Sequence, residues 1–195
     1  MKELLTSYGE LYSSQQSISL LNTLFEKINW QQEFVAFGRC FSVPRLQAWY
    51  ADEGVHYRYS DNKLNSNVWI EPLLSVKQDI ETSTGYRFNS VLLTYYRNGD
   101  DHVNWHADDE PELGESPVIA SLSLGGSRKF NYREKQLKST SPVELEFGSM
   151  DLHNGELLVM QSEFQQYWEH RIPQQPDIVK PRLNLTFRKV IMQVN

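Results

Sequence analysis

The chain has 195 residues, with 19 Lys and Arg against 25 Asp and Glu and a formal charge of −6, a size that suits one domain whose core needs no disulfide or metal staple. The acidic balance argues against tight, sequence-independent binding of duplex nucleic acid, which depends on many basic contacts to phosphate, but leaves a nucleic-acid substrate open. Cys40 is the only cysteine, so no intramolecular disulfide can form; a small buried hydrophobe in a reducing, intracellular setting is the simpler reading. The opening residues hold no long apolar core and no later run approaches membrane-spanning length, which argues against export or insertion.

From Ser17 to Trp30, Leu20, Leu21, Leu24, Phe25 and Ile28 recur at helical spacing, which predicts an amphipathic helix packed on a sheet. Val35 to Phe37 and the Val43-Pro44 step predict short extended segments. Beyond Gly54, Tyr57 and Tyr59 share one side of a predicted strand, the usual behaviour of core aromatics, with His56 beside them. Asn65 to Thr84 reads as a loop and a helix carrying Leu73, Leu74, Val76 and Ile80, with Pro72 in its first turn and Gly85 as its stop.

Tyr86 to Tyr96 is rich in strand formers and ends at the Asn98-Gly99 turn. After the polar loop Pro111 to Pro117, Ile119 to Leu124 alternates apolar and small residues, and a turn at Gly125-Gly126 predicts Phe130 to Tyr132 as its hairpin partner. Val143 to Phe147 alternates too, and Leu152 to Glu156 carries another hairpin signature before the apolar run Leu157 to Met160. Strands joined by short turns, with helices in the first half only, favour an antiparallel double-layer β architecture of jelly-roll type. Arg128, Lys129 and Arg133 offer a local basic rim or a solvated strand face, and His102 and His153 fall in predicted loops or turns at the surface.

Two stretches carry chemistry. His106 and Asp108, spaced by two, share one face if they lie on a strand, and His170 precedes a strongly alternating terminal strand and is the candidate third ligand. Two imidazoles and one carboxylate leave half of an octahedron open, the arrangement of non-haem Fe(II) oxygenases, whereas a closed structural zinc site has no vacancies. In the terminal strand Arg182, Asn184, Thr186 and Arg188 take one face and Leu183, Leu185 and Phe187 the other. The polar face meets either water or an anion: beside a metal, two guanidinium forks suit a dicarboxylate, and a dicarboxylate that also chelates iron is 2-oxoglutarate.

The segments F-N-S-V-L-L-T-Y-Y-R-N-G (88–99), H-A-D-D-E (106–110), P-V-I-A-S-L-S-L-G (117–125), His170-Arg171 and P-R-L-N-L-T-F-R (181–188) together resemble the AlkB family of Fe(II)- and 2-oxoglutarate-dependent dioxygenases. The D-D-E run is similar to its branch repairing alkylated nucleobases. The resemblance runs from about Val43 to Arg188 and implies a double-stranded β-helix (jelly-roll) core over about residues 86–195, after helices and a substrate lid over about residues 1–85, in a single domain. It implies that His106, Asp108 and His170 hold Fe(II). Tyr96 and Arg182 would take the distal carboxylate of 2-oxoglutarate, with Arg188 near the keto-acid end assisted by Asn184. Thr94 stands where the family commonly has Asn, and a hydroxyl replaces only part of an amide's hydrogen bonding. On the substrate side it implies Arg45, Tyr59 stacking on the base, Tyr57 at the base edge and Glu110 as a carboxylate favouring a positively charged alkylated base.

The implied reaction consumes dioxygen and hydroxylates an N-linked methyl group, releasing formaldehyde and the restored base. Alkylated single-stranded or locally unpaired nucleic acid, probed by a monomer in the cell interior, suits the acidic charge. The alternatives are the same oxidation on methylated RNA, protein or a small molecule, and a non-catalytic binding module on the same barrel.

Overall fold

A computed structural model describes residues 4–36, 39–55, 57–59, 62–64, 67–136 and 145–191, without the side chains of residues 34–36, 39, 41, 57–59 and 62–64. In chain order the elements are β1 (Leu5–Glu10), α1 (Ser14–Lys27), β2 (Gln31–Ala36), β3 (Arg39–Ala51), β4 (Tyr57–Tyr59), β5 (Asn62–Leu64), α2 (Glu71–Thr84), β6 (Ser90–Tyr96), β7 (Val103–His106), β8 (Ile119–Gly125), β9 (Arg128–Glu134), β10 (Phe147–Leu152), β11 (Glu156–Met160), α3 (Phe164–Tyr167), β12 (Trp168–Ile172) and β13 (Arg182–Arg188).

Two antiparallel sheets face each other, a seven-stranded one in the order β1-β11-β8-β13-β6-β3-β2 and a four-stranded one in the order β10-β9-β12-β7. This is the double-layer arrangement that the strand and turn pattern predicts, with α1 and α2 covering the outside of the larger sheet. Alternate residues of one strand therefore feed two cores. Val91 and Leu93 of β6, and Leu183, Leu185 and Phe187 of β13, pack with Leu24, Leu73 and Ile80 of the helices. Leu92 and Tyr96 of β6 point between the sheets, toward Phe130 and Ile172. Each of the three apolar β13 side chains is 0% exposed, a burial worth about 1.5–3 kcal/mol apiece, so the register of this strand is strongly specified.

The helices form where the spacing places them. A capping box between Ser13 and Gln16 starts α1. Pro72 sits in the first turn of α2, and Gly85, at φ 77°, closes it in the left-handed region that favours glycine. Phe25 lies against Trp30 and Tyr95 although it is 42% exposed.

Several expectations need correction. Phe130 to Tyr132 does not pair with Ile119 to Leu124: β8 lies in the larger sheet between β11 and β13, and β9 in the smaller one. Gly125 (φ 92°) turns a corner between layers, and a Cβ there would meet the Pro181 carbonyl oxygen at 2.5 Å. The turn at His153–Gly155 likewise joins the two sheets, linking β10 to β11. The extended segments around Val35 and Pro44 are longer than expected, since β3 runs 13 residues through Pro44. Val143 lies outside the described residues, and the strand predicted there runs from Phe147 to Leu152. Cys40 is exposed, near Glu33, and is not a core residue. Arg128 is 1% exposed and forms no rim. His153 is exposed and His102 half-buried.

Candidate active site

The site lies between the sheets, where inward residues of β6, β8 and β13 face those of β7, β9 and β12. Two cross-strand pairings build it. His170 stands directly opposite His106, which brings the imidazoles of β12 and β7 to 4.3 Å between ring centroids. Asp108 follows β7 in a loop, so the three residues meet although 62 positions separate His170 from Asp108. Each offers a ligand atom within 4.8 Å of the others, a cluster that can close on one ion with bonds of about 2.1 Å.

The neighbours prepare these groups for a cation. The Asn104 carbonyl can only accept, so His106 Nδ1, 2.8 Å away, carries the proton and Nε2 keeps its lone pair. His170 is 6% exposed and its Nδ1 has no hydrogen-bond partner. Burial, with His106 and Arg188 nearby, pushes its pKa down to about 3, and burial lowers that of His106 too. Burial alone would raise the Asp108 pKa, yet the Arg188 guanidinium and both imidazoles bring it below the ordinary carboxylate value. Arg188 Nη2 donates to Asp108 Oδ1 at 2.6 Å, with the two side chains 3% and 1% exposed. Two neutral imidazoles and an ionised carboxylate are the protonation states that a divalent cation requires. The residues present thus fit an iron centre.

The second pairing aligns the anion side. β13 runs between β6 and β8 with Arg182 opposite Tyr96 and Gly125, Asn184 opposite Thr94 and Ser123, and Thr186 opposite Leu92 and Ser121. Arg182 is 1% exposed. Its Nη2 donates to Ser123 Oγ (2.8 Å) and Asn184 Oδ1 (2.7 Å), whereas Nε and Nη1 are buried without an acceptor. Among the described residues no carboxylate pairs with it, and burial lowers its pKa to about 10, still charged at neutral pH. A planar fork that is charged at neutral pH, with two nitrogens lacking a hydrogen-bond acceptor, fits a carboxylate ligand. Asn184 bonds to Arg182, and its Nδ2 donates to Thr186 Oγ1; Thr94 and Tyr96 line the same cleft.

On the substrate side, Arg45 is 8% exposed, lines the cleft with His106 and Asp108, and donates from Nη1 to the His102 carbonyl. Glu110 is partly buried in the loop that carries Asp108, just before a 3-10 turn at Pro111–Leu113. The backbone of β4 and β5 forms an antiparallel hairpin. The side chains of Tyr57 and Tyr59, like all of His56, lie outside the described residues.

Two contributors escape a reading of the sequence. Gln165, on the short helix α3, is 0% exposed; its Oε1 accepts from the Asp108 backbone N–H at 2.9 Å. Lys135 donates both to the Gln165 carbonyl and to Asp109 Oδ2. Together they clamp the loop that carries Asp108 and Asp109 onto α3. Nothing local in Phe164-Gln165-Gln166-Tyr167 signals this. Ser123 was accessible, because the Ser121/Ser123 alternation in β8 puts small polar residues on the cleft face.

Comparison with known proteins agrees with this geometry. The family model described as the 2OG-Fe(II) oxygenase superfamily matches residues 5–188. The Bos taurus alpha-ketoglutarate-dependent dioxygenase alkB homolog 3 is 38% identical over 180 residues, covering 90% of this chain and 62% of the relative. The Homo sapiens DNA oxidative demethylase ALKBH2 is 34% identical over 191 residues, covering 95% and 73%. A solved structure titled "The structure of OsALKBH1" superimposes with a TM-score of 0.60 at 16% identity, over 95% of this chain and 98% of that one, and shows the same fold. The chain belongs to the 2OG-Fe(II) oxygenase superfamily and, within it, to the AlkB family. It spans about three fifths of the length of its alkB homolog 3 relatives.

Proposed function

We propose that the chain is an Fe(II)- and 2-oxoglutarate-dependent dioxygenase that removes alkyl groups from ring nitrogens of nucleobases in nucleic acid, DNA first among them. The observation that carries this reading is a buried His-Asp-His cluster facing a buried arginine with two idle donors. Relatives named as DNA oxidative demethylase and covering nearly the whole chain support the choice of substrate.

His106, Asp108 and His170 would hold the iron, Arg182 with Tyr96 the distal carboxylate of the co-substrate, and Thr94 the wall beside it; Asn184, expected to assist Arg188, instead bonds to Arg182 and would orient that guanidinium. Bound Fe(II), with 2-oxoglutarate and dioxygen, supplies the oxidising power that hydroxylates an N-linked methyl group. The hydroxymethyl group then leaves the ring nitrogen as formaldehyde while that nitrogen recovers its ordinary valence. Arg188 keeps Asp108 ionised through their 2.6 Å contact and, so held beside the iron ligands, would meet the keto-acid end of the co-substrate. Phe130, stacked on His170 at 5.1 Å, and Ile172, Leu152 and Met160 form a dry wall that excludes water from the reacting centre.

The hairpin bearing Tyr57 and Tyr59 would close over the flipped base, with Arg45 and Glu110 at its edge. Single-stranded or locally unpaired nucleic acid is the cheapest target to extract a base from. The chain would work as one catalytic domain and as a monomer inside the cell. No helix among the described residues is long and apolar enough to cross a membrane.

The test is formaldehyde release from singly methylated DNA and RNA oligonucleotides, single- and double-stranded, by the wild type and a His106→Ala variant. The wild type is expected to release formaldehyde in step with co-substrate consumption, most from single strands, and the variant none. Consumption without formaldehyde from any oligonucleotide would overturn the nucleobase assignment and leave the oxygenase one standing.

A further inference from the structure

Because side chains alternate along a strand, the neighbours of two metal ligands point the other way. Trp105 precedes His106 and Arg171 follows His170, so both lie on the outward face of the four-stranded sheet. Four strands each give that face one side chain of a single cluster. The guanidiniums of Arg133 (β9) and Arg171 (β12) lie 4.3 and 4.6 Å from the centroid of the Trp105 (β7) indole. Phe147 (β10) meets the same indole edge-on at 6.1 Å, while staying 60% exposed.

The charge of this face runs against that of the chain. Arg133 donates to Glu169 and Lys129 is matched by Asp151. Among the described residues no carboxylate pairs with Arg171, and its Nε is buried without a partner. A net positive charge is left on one face of a chain of formal charge −6. Two guanidiniums this close repel each other; the electron-rich indole offsets that repulsion and holds their planar forks over its ring. Flat cations beside an exposed aromatic ring suit a strand whose phosphates and unstacked bases are both within reach. The core of a protein interface would instead be depleted of charge. β7 is the edge strand of its sheet, so a chain leaving the site reaches this face by turning one edge.

We propose that the outward face of the four-stranded sheet binds the single strand flanking the target base. Phe147 stacks on a base, and Arg133 and Arg171, seated on Trp105, hold adjoining phosphates. This rests on the nucleobase reading above and adds to it a second contact outside the catalytic cleft.

The test uses fluorescein-labelled single-stranded oligodeoxynucleotides bearing one N-methylated base, about 4 and about 15 nucleotides long, which bracket the length one module covers. Affinity is measured by anisotropy over a range of salt. The wild type is expected to bind the long probe more tightly than the short one. Arg171→Gln and Phe147→Ala, both surface substitutions, should each cut that gain about tenfold, and Arg171→Gln should flatten the salt dependence by about one unit of slope. The inference is overturned if either variant keeps the full gain, as it would if the face served a protein partner. It is also overturned if long and short probes weaken alike, or if the wild type binds both equally. A wild type that binds neither probe overturns the nucleobase reading together with this inference.

Discussion

Arg128 and Arg182 come from opposite sheets and converge on one ring, their guanidiniums 5.3 and 5.4 Å from the Tyr96 centroid. Both are 1% exposed. Arg128 donates from Nη1 to the Asn98 carbonyl, from Nη2 to the carbonyls of Asp101 and Pro173, and from Nε to Gln175 Oε1. It pins two loops with every guanidinium nitrogen engaged. Arg182 uses one nitrogen on Ser123 and Asn184; its Nε and Nη1 are buried with no acceptor at hydrogen-bond geometry, the Tyr96 side chain being the polar group beside them. Burial does not distinguish a structural arginine from one proposed to bind a ligand; the count of satisfied donors does.

Substitution should separate the two. Arg128→Met would strand three carbonyls that now accept from a cation, and a loss of about 3 kcal/mol or more of stability is expected, read as a lowered urea midpoint. An unchanged midpoint would end the contrast. Arg182→Met should instead raise the dissociation constant for 2-oxoglutarate roughly a hundredfold, the worth of a lost charge-assisted pair. The fold should hold or gain stability. The sign follows from its lowered pKa: burial disfavours the charged form, so below about pH 10 the unliganded fold carries a cost that methionine removes. In the wild type, affinity for 2-oxoglutarate should persist at neutral pH and fall as pH rises through about 10.

Gln165 extends the contrast to a neutral side chain. Gln165→Leu keeps the size of the group but strands the Asp108 N–H, and Mn(II) affinity, followed by electron paramagnetic resonance, should fall about tenfold; Gln165→Glu, which still offers an acceptor, should recover most of it. Glu81, remote from the cleft, is a buried ion as well satisfied as Arg128, accepting from Lys77, Arg87 and the Phe88 N–H. Burial raises its pKa, but these partners outweigh that and bring it below 4.5. Its contribution is therefore complete above about pH 4.5 and is lost as pH falls through the lower folded value. Glu81→Gln should cost about 1 kcal/mol at pH 7 and much less in acid, by urea melts at both.

The site residues on β13 were legible because the period of two is local and unbroken from Arg182 to Arg188. His106 and Asp108 were legible as a pair of ligand types, but not by that periodicity: β7 ends at His106, and Asp108 lies in the loop beyond it. Their meeting with His170 was not legible from pattern, since a cross-strand pair between β7 and β12 leaves no mark in either segment; it was implied by the family resemblance. The layer crossings at Gly125 and Gly155 were misread as hairpins: glycine announces a turn but not whether the chain comes back into the same sheet. Arg128 was misjudged although its spacing from Phe130 and Tyr132 places it on their inward face. A charged side chain reads as solvated until its backbone partners, here from two separate loops, are seen. Gln165 has no local signature at all, for its role depends on a loop 57 residues away in sequence.

One strand, β13, is at once a wall of the helix-side core and the carrier of Arg182, Asn184 and Arg188 on the cleft. A slip of one position would drive arginines into oil and turn leucines toward the cleft. Misassembly and loss of the cleft are thereby made the same error: a molecule that passes as well packed has, by that fact, also aimed Arg182 and Arg188 into the cleft.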